Sequence, residues 1–177
     1  MADHRINPPA DWRNLADDKL AWLVIEDIWE WADFYGEFPP FVEQMDELTT
    51  GQRGVYATTW LDREVKNGGF YQFFQNGTGT LGPEALAGFR VIGMAESAEC
   101  VKAAFLYYGM KPYPRTRDER NERLPDYKST KDERWEIDKA YYESTYDKSS
   151  GKDHDSILER MQAAYIRAHP DEFFKPE

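Results

Sequence analysis

The chain has 177 residues, 41% of them hydrophobic, with six Trp, eleven Tyr and ten Phe, enough apolar material for one substantial core in a single domain. A net charge of −11 disfavours direct nucleic-acid binding and favours a basic partner. The one cysteine, Cys100, excludes an intrachain disulfide and a thiolate metal cluster within one chain.

The acid is concentrated at the start: residues 1–50 hold twelve Asp/Glu against three Lys/Arg, a local charge of −9. "MADHRINPPADW" has acids and prolines where a secretory signal needs a positive start and an apolar stretch, and Ala21 to Ile25 is far too short to span a bilayer. A cytoplasmic protein without membrane association is expected, with residues 1–13 as an extended arm.

Helical periodicity dominates from there. Asn14 is placed to cap one long helix carrying Leu20, Leu23, Val24, Ile28, Trp31 and Tyr35 on one stripe, with Gly36 ending it. "FPPFVEQMDELT" reads as a short helix entered through prolines, and Thr49 or Thr50 caps a helix from Gly51 to Lys66 with Val55, Tyr56, Trp60, Leu61 and Val65 inward. Asn67, Gly68 and Gly69 break it. Phe70 to Gln75 form a helical turn, "NGTGTLGP" a loop, and Pro83–Glu96 and Ser97–Tyr108 two helices. Residues 109–130 are a polar, proline-broken excursion with one short helix. Asp132–Tyr146 and Ser156–Ala168 are amphipathic helices, the second with Asp155 as its expected N-cap. With no sustained period of two, the expected fold is all-α, one compact domain of six to eight helices over residues 1–177.

The stretch "EVKNGGFYQFFQNGTG", residues 64–79, combines helix breakers with aromatics. Trp60 and Glu64 are four apart on one helical face, Gln72 and Asn76 form a polar row, and Phe70 and Phe74 an apolar one. A half-buried Glu64 needs donors, for which Gln72, Asn67, Asn76 and the amides around Gly68 to Phe70 are candidates. One reading is a hydrogen-bonded elbow in which the glycines allow positive φ and the phenylalanines lock two helices together. The other treats the same groups as a pocket for a small ligand or a reaction centred on Glu64.

"WLDREVKNGGFYQFFQNGTG", "VIGMA" and "AAYIRAHPDEFF" resemble the DNA-mimic-protein family of bacterial helical domains over roughly residues 45–174. Glu64, Asn67, Gly68, Gly69, Phe70, Gln72, Phe74 and Asn76 fit that family's E-x-x-N-G-G-F-x-Q-x-F-x-N pattern. Ile92 and Gly93 match its next helix, and Tyr165 and Phe173 its tail. The resemblance implies an all-helical fold and, for the member that named the family, an acidic dimer that occupies the DNA-binding surface of a transcription factor. Such mimicry belongs to surface carboxylates, whereas the motif reads as scaffold.

Glu26, Glu30 and Asp33 are spaced i, i+4, i+7, with Glu37 beyond Gly36. Three charges over about 10.5 Å of helix compare with about six on the same length of duplex DNA. Glu43, Asp46 and Glu47 must lie alongside to imitate both strands; otherwise the stripe is a solvated helix face. "RTRDERNER" places Arg115, Arg117, Arg120 and Arg123 in one segment, read as exposed and self-paired through Glu119 and Arg123, or as a contact for an anion or for the acidic face of a second copy in a homodimer. His4, His154 and His169 sit at termini or linkers without ligand spacing, so no metal is expected. Cys100 reads as a small core residue, and no nucleophile elbow, phosphate loop or dinucleotide fingerprint occurs. The expected function is non-enzymatic and cofactor-free: an acidic interaction module binding a basic, DNA-binding or regulatory protein. The alternatives are an immunity-type inhibitor of a basic toxin and the ligand or catalytic site at Glu64.

Overall fold

The computed structural model describes residues 3–33, 40–128, 131–147 and 156–176, with backbone alone at Pro40, Lys131 and Asp132. Tyr35, Gly36, Glu37, His154 and Asp155 lie outside the described residues. Among those described, nine α-helices and no strand form one helical domain.

The expected single N-terminal helix is two, α1 (Asp17–Leu23) and α2 (Glu26–Trp31). Between them the chain leaves helical geometry at Ile25, with φ −120° and ψ −5°, and Val24 and Ile25 are both buried. β-branched residues lose side-chain freedom against the preceding helical turn, and the break sinks both adjacent side chains into the core. Asn14 belongs to a short 3₁₀ turn, Trp12–Asn14, and the residue before α1 is Ala16, which makes no side-chain cap. Ala32 is extended, so Asp33 lies past the end of α2.

The helix α3 (Pro40–Glu47) follows, then the central α4 (Thr50–Gln75). Thr49 and Gln52 close a capping box at its start: the Thr49 Oγ1 accepts from the Gln52 amide at 3.1 Å, and the Gln52 Oε1 accepts from the Thr49 amide at 3.2 Å. Within α4 the chain breaks where the sequence places the break, at Gly68 and at Gly69, the latter with φ 75° and ψ 178°. A 3₁₀ turn (Gly77–Leu81) leads into α5 (Gly82–Val91) and α6 (Ala95–Tyr107). The last three helices are α7 (Arg117–Arg123), α8 (Lys131–Thr145) and α9 (Ile157–Ala168). Ser156, whose hydroxyl accepts from the Glu159 amide at 3.2 Å, caps α9.

Helix α4 runs through the domain with α5, α7, α8 and α9 packed on it, while α1 lies on α9, and α6 contacts α5 and α8. The α4–α5 crossing is close because glycines face each other: a Cβ on Gly88 would sit 2.7 Å from the Gly54 carbonyl oxygen. Trp29 of α2 stacks on Trp60 of α4 at 3.8 Å and 9°. Gln162 of α9 donates from its amide to the Val55 carbonyl and the Thr58 and Thr59 hydroxyls at 3.2, 2.9 and 3.0 Å. The N-terminal arm is pinned by a parallel bridge between Ile6 and Phe174, with Trp12 against Phe174 at 4.5 Å.

The break at Gly69 frees a helical amide, and Asp138 of α8 supplies its acceptor: the Phe70 N–H donates to the Asp138 Oδ1 at 2.9 Å. A Cβ on Gly69 would collide with that carboxylate, and its φ/ψ pair is a region that only glycine occupies readily. Gly69→Ala is expected to cost about 3 kcal/mol, lowering the melting temperature by about 6–12 °C for a domain of this size. An unchanged melting curve would contradict this account of the break.

Candidate functional site

The elbow closes on Glu64 with some of the expected partners and not others. Glu64 Oε2 accepts from Gln72 Nε2 at 2.8 Å and from Asn76 Nδ2 at 2.9 Å, as the polar row predicts. Its Oε1 accepts from the Thr78 hydroxyl at 2.7 Å, a partner the sequence reading did not include. Asn67 is exposed, and the Phe70 amide goes to Asp138. The reason is tertiary: α8 delivers a carboxylate to the broken helix end, so Glu64 is left to the side chains beyond the break. Phe70 and Phe74 are fully buried with rings 6.1 Å apart, Phe70 meets Tyr141 edge-on at 5.3 Å, and Phe74 meets Tyr108 at 5.2 Å. Trp60 is the half-buried partner of Trp29. Both oxygens of Glu64 are thus committed within the fold.

The arginine segment departs from the expected exposed, self-paired strip. Arg120 is 0% exposed. Its Nε donates to the Phe74 carbonyl at 3.0 Å, its Nη1 to the Arg115 carbonyl at 2.6 Å and its Nη2 to the Asn76 carbonyl at 2.8 Å. Burial pulls its pKa below the ordinary arginine value. Arg115 pairs with Glu84 at 2.7 Å and donates to the Thr80 carbonyl at 2.9 Å. Arg117 donates to the Gln75 carbonyl, and Arg123 to those of Gly109 and Pro112. Glu119 bonds with Thr116 at 2.8 Å. The carbonyls left open where α4 ends thus draw in a segment whose charge pattern alone reads as a solvated face.

The acidic residues divide by neighbourhood. Glu26, Glu30, Asp33, Glu43 and Asp46 are exposed and Glu47 is half-buried. Glu26 accepts from Trp22 Nε1 at 3.2 Å, and Asp46 pairs with Arg53 at 3.0 Å. Gln44 of α3 bridges to the end of α2: its Oε1 accepts from the Asp33 amide at 3.3 Å and its Nε2 donates to the Trp31 carbonyl at 3.4 Å. The His4 ring lies 4.1 Å from that of Trp31, with its Nε2 3.9 Å from the Glu47 carboxylate. The α2 terminus and the α3 face bearing Gln44 and Glu47 therefore abut.

A second charged group lies on α4. Lys66 Nζ is 2.5 Å from Asp62 Oδ2, and the Tyr141 hydroxyl donates to Asp62 Oδ1 at 3.1 Å. Burial pulls the lysine down, but the charge and hydrogen bond of Asp62 outweigh it, so its pKa is raised and the ammonium stays charged. The i, i+4 spacing was the one sequence signal for this pair; its burial was not readable. Cys100 is half-buried, and burial pushes its thiol up. No cluster of three His, Cys, Asp or Glu side chains able to hold a metal occurs among the described residues, and no described helix is long and apolar enough to cross a membrane.

These observations define a helical domain built on a glycine-broken central helix, with Glu64, Phe70, Gln72, Phe74 and Asn76 committed within the fold and Glu26, Glu30, Asp33, Glu43 and Asp46 exposed. A family model described as DMP19-like protein matches residues 46–169, and the chain belongs to that family, a DNA-mimic family. No curated protein matches the chain.

Two substitutions test the scaffold reading. Glu64→Gln places a donor against Gln72, Asn76 or Thr78 and is expected to destabilise by about 1–3 kcal/mol in chemical denaturation. Arg120→Met strands several buried carbonyls and should cost more than about 3 kcal/mol, against less than about 1 kcal/mol for Arg117→Ala at the exposed end. Equal effects of the two arginine changes would refute the assigned role of Arg120.

Proposed function

We propose that this chain is an acidic protein-interaction module that presents the α2–α3 region to the basic surface of a DNA-binding or regulatory protein, in the manner of a DNA mimic. The observation that carries this reading is the bridge that Gln44 of α3 makes to the end of α2, through the Asp33 amide and the Trp31 carbonyl. It joins α3 to the end of α2, which supports a two-row arrangement of Glu26, Glu30 and Asp33 with Glu43 and Glu47, as an imitation of phosphates requires. Family membership supports the same class of activity. The internal commitment of Glu64 speaks against a ligand or catalytic site at the elbow. An immunity-type inhibitor of a basic toxin would use the same surface and differs only in the partner's identity.

The test compares wild type with a Glu26→Lys, Glu30→Lys, Asp33→Lys variant as paired baits, at low and at moderate salt. The side chains are exposed, so the fold should survive the change. Wild type is expected to retain a basic protein that the variant does not, and to lose it as salt shortens the screening length to about 8 Å. The captured protein should also lose DNA binding when wild type is added. Equal retention by both baits would overturn the reading.

A further inference from the structure

A cavity of about 210 Å³ opens between α1, α4 and α9, with Asp18, Trp22, Asp62, Arg63, Lys66, Glu159 and Gln162 on its walls. We propose that it is a socket for an organic ammonium or guanidinium head group, carried by a free amine or by a basic side chain of a partner.

Charge favours a cation. On the wall three carboxylates face two cations; Lys66 is already spent on Asp62, and the exposed Lys19, which is not on the wall, lies 3.6 Å from Asp18. Arg63 lies 5.0 Å over the Trp22 ring and 4.8 Å over the Trp29 ring, so its guanidinium is held against aromatic faces. Glu159 is pushed toward its protonated form first by burial and then by the negative charges of Asp18 and Asp62, with Lys66 and Arg63 opposing. An entering cation relieves that repulsion. The polar wall also offers a neutral acceptor. Gln162 is 1% exposed, its amide nitrogen is committed to Val55, Thr58 and Thr59, and its carbonyl oxygen accepts no hydrogen bond from the described residues. An ammonium has three donors to place, and Asp18, Glu159 and that carbonyl are three acceptors. At about 30 Å³ per water-sized group, the volume admits a chain of about four carbons with its head group.

The position ties the socket to the acidic surface. Trp22, on its wall, donates its indole N–H to Glu26 at 3.2 Å, so the cavity opens beside the first acid of the α2 row. The inference deepens the acidic-module reading in its partner form, yet it stands on different side chains and can fail separately.

The experiment titrates the protein at fixed ionic strength with n-butylammonium chloride, N-acetyl-lysine methylamide, sodium butyrate and potassium chloride. The readout is the indole N–H resonance of Trp22, assigned with Trp22→Phe. Saturable shifts are expected with at least one of the two organic cations and not with butyrate or potassium. Asp18→Asn with Glu159→Gln should weaken binding about tenfold, while Glu96→Gln with Glu122→Gln, an equal change of charge at exposed positions off the cavity wall, should leave it unaltered. Binding of n-butylammonium alone identifies a free amine as the ligand; equal or tighter binding of the lysine amide identifies a basic side chain. The socket is overturned if butyrate shifts the resonance equally, if the remote pair weakens binding as much, or if no titration saturates. Equal retention of a protein by both baits in the charge-reversal test, with the titration intact, would overturn the interaction reading and leave the socket standing.

Discussion

The domain depends on how one interrupted helix satisfies its backbone. At Gly69 the chain takes a conformation that frees the Phe70 amide, and a buried amide without an acceptor costs about as much as a lost hydrogen bond. Asp138 answers it from α8 at 2.9 Å, capping the second half of α4 from another helix. That contact is possible only because Gly69 has no Cβ to meet the carboxylate. The same residue thus supplies the bend and the room for the group that makes the bend tolerable. Around this joint Tyr141 and Tyr142 of α8 bond to Asp62 and to the Val65 carbonyl of α4, so the two helices are fastened along one seam.

Beyond the bend, α4 ends in a turn held from two sides by opposite charges. Glu64 collects the donors Gln72, Asn76 and Thr78, while Arg120 collects the carbonyls of Phe74 and Asn76. A helix terminus leaves carbonyls without intrahelical partners, and a guanidinium with five donors in a fixed fork suits several of them at once. The excursion after α6 is ordered by this demand: Arg115, Arg117, Arg120 and Arg123 each reach a backbone carbonyl. Polar side chains do here what an apolar core cannot, since they fix which residue faces which across an irregular turn.

In the proposed reading, scaffold and activity are carried by separate parts of the chain. Within the motif, Glu64 bonds with Gln72 and Asn76, and Phe70 and Phe74 are buried, so these residues are silent about a partner. Glu26, Glu30, Asp33, Glu43 and Asp46 are exposed, and the contact of the α2 end with α3 and the N-terminal arm is made by Gln44 and by His4 on Trp31, which lie outside the motif. A fold of this kind can keep its elbow while its surface charges change, so shared architecture does not by itself carry a shared partner.

The all-helical class, the break at Gly68 and Gly69, the Thr49 cap and the attachment of Gln72 and Asn76 to Glu64 were legible in the sequence. Each rests on residues close along the chain, where periodicity, cap chemistry and helical spacing apply directly. The division of the first helix at Val24 and Ile25 was not legible, because those residues fit a helical stripe and leave it only to bury against the core. Nor could local pattern reveal that Arg120 is buried, that Asp138 caps Phe70, or that Asp18 and Glu159 share a cavity. Those pairings join residues separated by many positions, and a charged side chain reads as solvated until packing decides which backbone groups and opposite charges stand beside it. The sequence by itself determined the helices and their joint; the tertiary structure alone decided which charges hold the fold together and which remain at the surface.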